Sequence, residues 1–217
     1  MANESERAGG LATSTPALRD WRFSVDQEGI GWAVFDREGQ SANALGTRPL
    51  EELGAIVTLA EERAKDRSLS GLVIISGKEK GFIVGADINE FDGFRTEAEV
   101  IDRLRLVLAL FDRIEALQVP VVAAIHGVCV GGGLELALAC HYRIATRDEK
   151  TRVGFPEVKL GIFPGWHGTV RSIRQAGPVA AMQAMLTGGM ISAGRARGIG
   201  LVDQLVDSPD MLRWAAR

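Results

Sequence analysis

Val119-Pro120-Val121-Val122-Ala123-Ala124-Ile125-His126-Gly127-Val128-Cys129-Val130-Gly131-Gly132-Gly133-Leu134-Glu135 is the stretch on which the fold turns. An apolar, β-branched run ends in three consecutive glycines, and a carboxylate follows two residues later. This order predicts a buried strand, a tight turn and the first turn of a helix. Three glycines strip side chains from a backbone that must come close to something. The unpaired N–H groups and the dipole of a helix N-terminus favour negative charge at that point. Glu135, beside it, is a candidate acid or base. The stretch therefore describes a place where an oxyanion could form and a proton could move.

Working outward, Pro120 ends an amphipathic helix expected over roughly Glu97 to Leu117, with Thr96 as its N-cap. The strand Val121 to Ile125 follows, and after the glycines a helix runs from Leu134 to about Cys140. Upstream, Trp21 to Asp26 and Ile30 to Phe35 flank the turn Gln27-Glu28-Gly29 and read as a hairpin. Ser41 to Gly46 is a loop. Pro49 opens a helix whose Leu50, Leu53, Ile56, Val57, Ala60 and Ala64 share one apolar face. Gly71 to Ser76 is a buried strand, and Gly77 to Glu90 a long glycine-containing loop. Downstream, Tyr142 to Ala145 is a strand, and loops around Phe155-Pro156-Glu157 and Gly161 to Gly165 lead into a helix near Thr169 to Gln175. Pro178 starts another, Ser192 caps a short one, and Leu201 to Val206 is a last strand. The pattern is an α/β fold in which ββα units recur. Residues 1–18, small and polar, are expected to be a disordered tail, and 19–217 one core domain. The pattern breaks off abruptly at Arg217, so the expectation includes a missing C-terminal part.

Hydrophobic residues make up 46% and charged residues 24% of the 217, the balance of a soluble globular domain with a substantial core. A net charge of −3 provides no basic field for nucleic acid, so any anionic ligand must be held by local cations and backbone amides. The two cysteines, Cys129 and Cys140, lie in apolar stretches without companions at metal spacing. They read as reduced core residues of a cytoplasmic protein. No apolar run is long enough to span a membrane, and the N-terminal residues lack the basic segment and apolar run expected of a secretory signal.

Two loops follow the same logic, Gly85-Ala86-Asp87 and Gly131-Gly132-Gly133. If their strands are parallel neighbours, the loops share the sheet edge where ligands bind. One N–H from each would then converge on a single oxygen and stabilise developing negative charge. The plainer alternative is a pair of ordinary strand-to-helix turns. Glu135 in a first helical turn also has a plainer role, complementing the helix dipole. Glu157, between Pro156 and Val158, lies in apolar surroundings that would raise its pKa and keep a proton available near neutrality. His126 reads as a satisfied core histidine, His167 as a cap or surface residue, and His141 as solvent-facing. No Ser-His-Asp order, metal cluster, dinucleotide fingerprint or P-loop is present.

Three segments resemble, in order, the motifs of the crotonase (enoyl-CoA hydratase/isomerase) superfamily. They are Lys80 to Ile88, Ala124 to Ala137, and Gly154 to Gly165. Within it the wording is closest to the hydratase domain of multifunctional fatty-acid β-oxidation proteins, where a 3-hydroxyacyl-CoA dehydrogenase follows on the same chain. The resemblance implies a superhelix of ββα turns. It implies a coenzyme A thioester as substrate, with no further cofactor and no metal. It also implies a homo-oligomer or a place in a larger multifunctional complex. The amides of Ala86 and Gly132 would form the oxyanion hole. Glu135 would position and deprotonate water, and Glu157 would protonate C2 of a trans-2-enoyl-CoA. Ala42, Leu45, Gly85, Asp87, Ile88, Gly131 and Pro156 would line the thioester and CoA, with Arg48, Lys78 and Lys80 as candidate phosphate contacts. Both carboxylates together point to hydration. A Δ3-Δ2-enoyl-CoA isomerase, thioester hydrolysis and an acyl-CoA-binding scaffold are the alternatives. Three departures from the family stand out. The spacing from Glu135 to Glu157 is longer, with the surplus in Arg147 to Thr151. Trp166-His167 replaces small residues, which would narrow the acyl pocket. The helices that help to cover the site and to assemble trimers are absent after Arg217.

Overall fold

The computed structural model describes residues 18–217. Of the tail expected over residues 1–18, residues 1–17 lie outside the described residues, while Leu18 packs against the core instead. Among the described residues, ten strands form two sheets. The larger contains β1 (Trp21–Val25), β2 (Ile30–Phe35), β3 (Gly71–Ser76), β5 (Val121–Ile125), β7 (Tyr142–Thr146) and β10 (Gln204–Val206), in that spatial order. The smaller contains β4 (Gly81–Ile83), β6 (Val128–Val130), β8 (Arg152–Gly154) and β9 (Ile191–Ser192). Apart from the β1/β2 hairpin and the β8/β9 pair, all pairings are parallel. Each turn of the chain lays one strand in each sheet, β3 then β4, β5 then β6, β7 then β8. This is the expected spiral of ββα turns.

Strand period explains why the long strands are buried on both faces. In β3, Leu72 and Ile74 enter the main core while Val73 and Ile75 enter a second, smaller one. In β5, Val121, Ala123 and Ile125 face the main core and Ala124 the second. Helices α1 (Thr47–Lys65) and α2 (Glu97–Glu115) close the main core with Leu53, Ile56, Val57, Phe111 and Ile114. α6 (Pro209–Ala215) covers the second core with Leu212, and Ala216 just after it joins the same cluster. Each such side chain, fully buried, contributes about 1.5–3 kcal/mol. Thr96 caps α2 as expected, its hydroxyl accepting from the Glu99 amide. Ser192 caps α5 (Ala193–Gly198) in the same way.

The decisive stretch is not one strand but two. The chain breaks at Gly127, whose φ of +57° is left-handed, and Val128–Val130 crosses into the smaller sheet. Only glycine adopts that turn without cost, and the apolar run on both sides hides it from pattern reading. The three glycines then begin α3 (Gly132–Ala139) two residues earlier than expected, with Gly131 as N-cap. The loop expected over Gly77 to Glu90 contains β4 and the start of a 3-10 helix, Ile88–Gly93. β8, β9 and the 3-10 helix Pro156–Leu160 were also invisible, being too short for any periodicity. α4 (Gly168–Thr187) bends at Gly177, φ +76°, before Pro178, which accounts for the two helices expected there.

Candidate active site

The smaller sheet builds the site. β4, β6 and β8 are parallel neighbours, so their C-terminal ends lie side by side. From them leave Gly85-Ala86, Gly131-Gly132-Gly133 and Pro156-Glu157 respectively. The first two loops touch. A Cβ on Gly85 would stand 3.8 Å from the Gly132 nitrogen, and one on Gly131 would stand 3.7 Å from the Gly85 Cα. Gly131 has φ 54° and ψ −131°, a region closed to L side chains, and its N–H donates to the Gly154 carbonyl at 2.9 Å. That turn brings the Gly132 nitrogen against the Gly85 loop. Among the described residues no protein acceptor meets the amides of Ala86 or Gly132. Gly132 begins α3, where an unpaired N–H and the helix dipole favour negative charge.

The loop Ser41 to Leu45 is zipped onto the Ala86 loop. Val84 N–H donates to Asn43 O, Leu45 N–H to Gly85 O and Asp87 N–H to Leu45 O, at 2.8, 2.8 and 3.0 Å. Asn43 fixes this loop from beneath. It is 1% exposed, and its amide donates to the carbonyls of Phe35 and Phe82 and to the Ser76 hydroxyl. Sequence reading passed over Asn43, since an asparagine among small residues looks like an ordinary turn residue.

Glu135, in the first turn of α3, is 2% exposed. Its Oε1 accepts the amides of Trp166 and Gly168 at 2.7 and 2.8 Å. A Cβ on Gly168 would sit 2.7 Å from that carboxylate, so glycine is required for the approach. Burial pushes the Glu135 pKa up to about 7 against those two amides, with the Glu157 charge adding to the rise and Arg171 opposing it. Glu157 is buried on its 3-10 helix, and burial raises its pKa too. Its Oε1 would lie 3.0 Å from a Cβ on Gly131, and its Oε2 is buried with no hydrogen-bond partner among the described residues. The two acids therefore have different surroundings, one held by amides and one unpartnered, beside the same glycine turn. Such a pair can divide acid and base roles.

Arg171, 3% exposed, holds the Trp166 to Gly168 loop. It donates to Asp112 and Glu115 of α2 at 2.7–3.0 Å and to the Trp166 carbonyl at 3.2 Å. This link, like the two amides on Glu135, joins residues far apart in the chain and leaves no local signal. His167 occupies the N-cap of α4 with φ 66°, and its Nδ1 is 3.5 Å from Asp112. His126 contacts the Lys78 carbonyl at 2.6 Å. His141 is exposed on one side, while its ring accepts the Val121 amide at 2.9 Å.

The remaining residues separate. Gly85, Gly131 and Leu45 are buried, and Ala42, Ala86 and Pro156 are half-buried. Ile88 is exposed. The Asp87 carboxylate accepts from Arg37 and from the Asn89 amide, and Arg37 with Asn89 holds its pKa below the usual range despite burial. Arg48 is bound through Nε and Nη2 to buried Asp20, both at 2.8 Å, and Lys78 pairs with Asp36 at 2.8 Å. Lys80 is exposed. Burial raises both cysteine thiols, Cys140 up to about 12, so neither is a ready nucleophile. Among the described residues no cluster of His, Cys, Asp and Glu could hold a metal ion, and no helix is long and apolar enough to cross a membrane.

The raised Glu135 pKa has a measurable sign. Between its ordinary value of 4.5 and about 7, the unfolded chain has released a proton that the folded chain retains. Folding stability is therefore expected to fall as pH rises through that window. Thermal melts at stepped pH should show this decline, and Glu135→Gln should flatten it.

The family model of enoyl-CoA hydratase/isomerase matches residues 26–217. The fatty acid oxidation complex subunit alpha of Idiomarina loihiensis is 44% identical over 190 residues, covering 88% of this chain and 26% of that protein. The chain thus spans about a quarter of the length of the curated relatives it matches. Among solved structures, the enoyl-CoA hydratase of Bacillus anthracis is similar with a TM-score of 0.82 at 34% identity, covering 91% of this chain and 74% of that one. The enoyl-CoA hydratase of Mycobacterium smegmatis has a TM-score of 0.82 at 27% identity, covering 91% and 73%.

Proposed function

Because this chain belongs to the enoyl-CoA hydratase/isomerase family, we propose that it adds water across the double bond of a trans-2-enoyl-CoA thioester. The observation that carries this reading is the pair of buried carboxylates, Glu135 and Glu157, set beside the Gly85 and Gly131-Gly132 turns. The thioester oxygen accepts from the Ala86 and Gly132 amides. Glu135 takes a proton from water as the water oxygen bonds to C3. The electron pair of the C2–C3 double bond moves toward the thioester, and the negative charge gathers on its oxygen as an enolate. Glu157 then delivers its proton to C2, and the carbonyl re-forms. Each oxyanion donor of this kind is worth about 3 kcal/mol of barrier. The addition is redox-neutral and uses neither metal nor cofactor beyond the thioester itself.

The names of the curated relatives support a setting in fatty-acid oxidation, with this chain as the hydratase portion of a longer protein. In that setting a 3-hydroxyacyl-CoA dehydrogenase segment would oxidise the product. A cytoplasmic, oligomeric or multifunctional assembly belongs to the same proposal.

Isomerisation of a 3-enoyl-CoA remains the second reading, since moving a proton between carbons needs only one carboxylate. Glu135→Gln separates the two. Hydration of crotonyl-CoA, followed as loss of the conjugated thioester absorbance, is expected to fall by about 10²–10⁴-fold. Isomerisation through Glu157 should persist. A Glu135→Gln variant that hydrates as well as the parent would transfer the case to the isomerase.

A further inference from the structure

We propose that the Trp166 indole is the wall that sets acyl-chain selectivity, favouring short, straight enoyl groups. The inference rests on the hydratase reading and deepens it. The main-chain N–H of Trp166 donates to Glu135 Oε1 at 2.7 Å, so this residue is tied to that carboxylate. Its ring lies over Gly132. The benzo edge occupies the space a Gly132 Cβ would need, with Cε3 2.6 Å from that position. On its other side the indole meets Phe111 edge-on, with centroids 5.8 Å apart and planes at 81°. Leu104 backs the neighbouring Gly165, 3.5 Å from where its Cβ would stand. The indole is therefore wedged between the Gly132 backbone and α2, and it remains half-buried.

The thioester oxygen lies at Gly132 and C3 lies at Glu135. Carbons beyond C3 must then leave past Trp166, whose ring covers Gly132 and whose main-chain N–H holds Glu135. A rigid bicyclic ring backed by Phe111 cannot swing aside as an aliphatic chain would. Bulk at C4, or a long chain, meets the ring face. Truncating the ring opens the space beneath α2 toward Phe111 and Leu104.

The test compares kcat/KM for crotonyl-CoA and trans-2-decenoyl-CoA in the intact protein and in Trp166→Ala and Trp166→Phe. The decenoyl-to-crotonyl ratio is expected to rise at least about 10-fold in Trp166→Ala and less in Trp166→Phe, as pocket methylenes do. Calorimetric binding of butyryl-CoA and decanoyl-CoA gives the same comparison where turnover is too slow, and tighter decanoyl-CoA binding by the Phe variant alone suffices if the Ala variant does not fold. A ratio that stays within about two-fold of the parent in both measurements overturns the assignment of Trp166. A parent protein that hydrates neither substrate overturns the hydratase reading itself, and with it this one.

Discussion

Glu157→Gln is expected to slow crotonyl-CoA hydration by about 10²–10⁴-fold while the fold is retained. The loss follows from chemistry, since an amide has no proton to give C2 at neutral pH. Retention follows from packing. Glutamine matches glutamate in volume, and the Glu157 Oε2 it replaces makes no hydrogen bond among the described residues. Burial already favours the neutral acid at this position, so replacing it with a neutral amide removes no buried charge pair. Steady-state kinetics should show the deficit in kcat and kcat/KM together, because the proton is delivered only in the transition state. Circular dichroism melts should stay close to the parent. A variant with near-parental hydration would remove Glu157 from the reaction.

Gly127→Ala is expected to destabilise the protein by about 3–5 kcal/mol, at the top of the range for single substitutions. Two costs add. Its φ of +57° is unfavourable for alanine. The new Cβ would also press on main chain, 2.7 Å from the Gly81 Cα and nearer still to the Lys80 carbonyl. Backbone in a paired strand cannot step aside as a side-chain tip can. The displaced atoms lie at the start of β4, and Gly85 and Ala86 follow just beyond its other end. Activity should therefore fall in the folded fraction as well as through lost stability. Urea denaturation measures the first effect, and a Gly127→Ala midpoint equal to the parent's would contradict it.

The long elements were legible because each carries enough residues to show a period. β3 is an unbroken apolar run, and its two-sided burial is what such a run requires. The Thr96 cap of α2 is a local side-chain bond, readable from residues three apart. The tight glycine turns at Gly85 and Gly131 and the burial of Glu157 were also legible, since clustered glycines and apolar neighbours leave signals of their own. What stayed hidden is non-local. The stretch from Val119 to Val130 divides between two sheets at His126-Gly127, an interruption too short to separate two strands by pattern alone. The strands that position the loops are three residues long. Glu135 is held by amides 31 and 33 residues away, and Arg171 reaches acids more than 50 residues away. Arg48 illustrates the reverse. Its charge suggested a phosphate contact, but a buried Asp20 carboxylate 28 residues upstream claims it.

The most direct measurement is a crystal structure of the protein with an acyl-CoA thioester bound. The thioester oxygen should lie within about 2.7–3.2 Å of both the Ala86 and Gly132 nitrogens, the range of a true N–H···O bond. C2 should then face Glu157, and C3 should face Glu135. A thioester oxygen that meets neither amide, or carbons that lie away from both acids, would contradict the account.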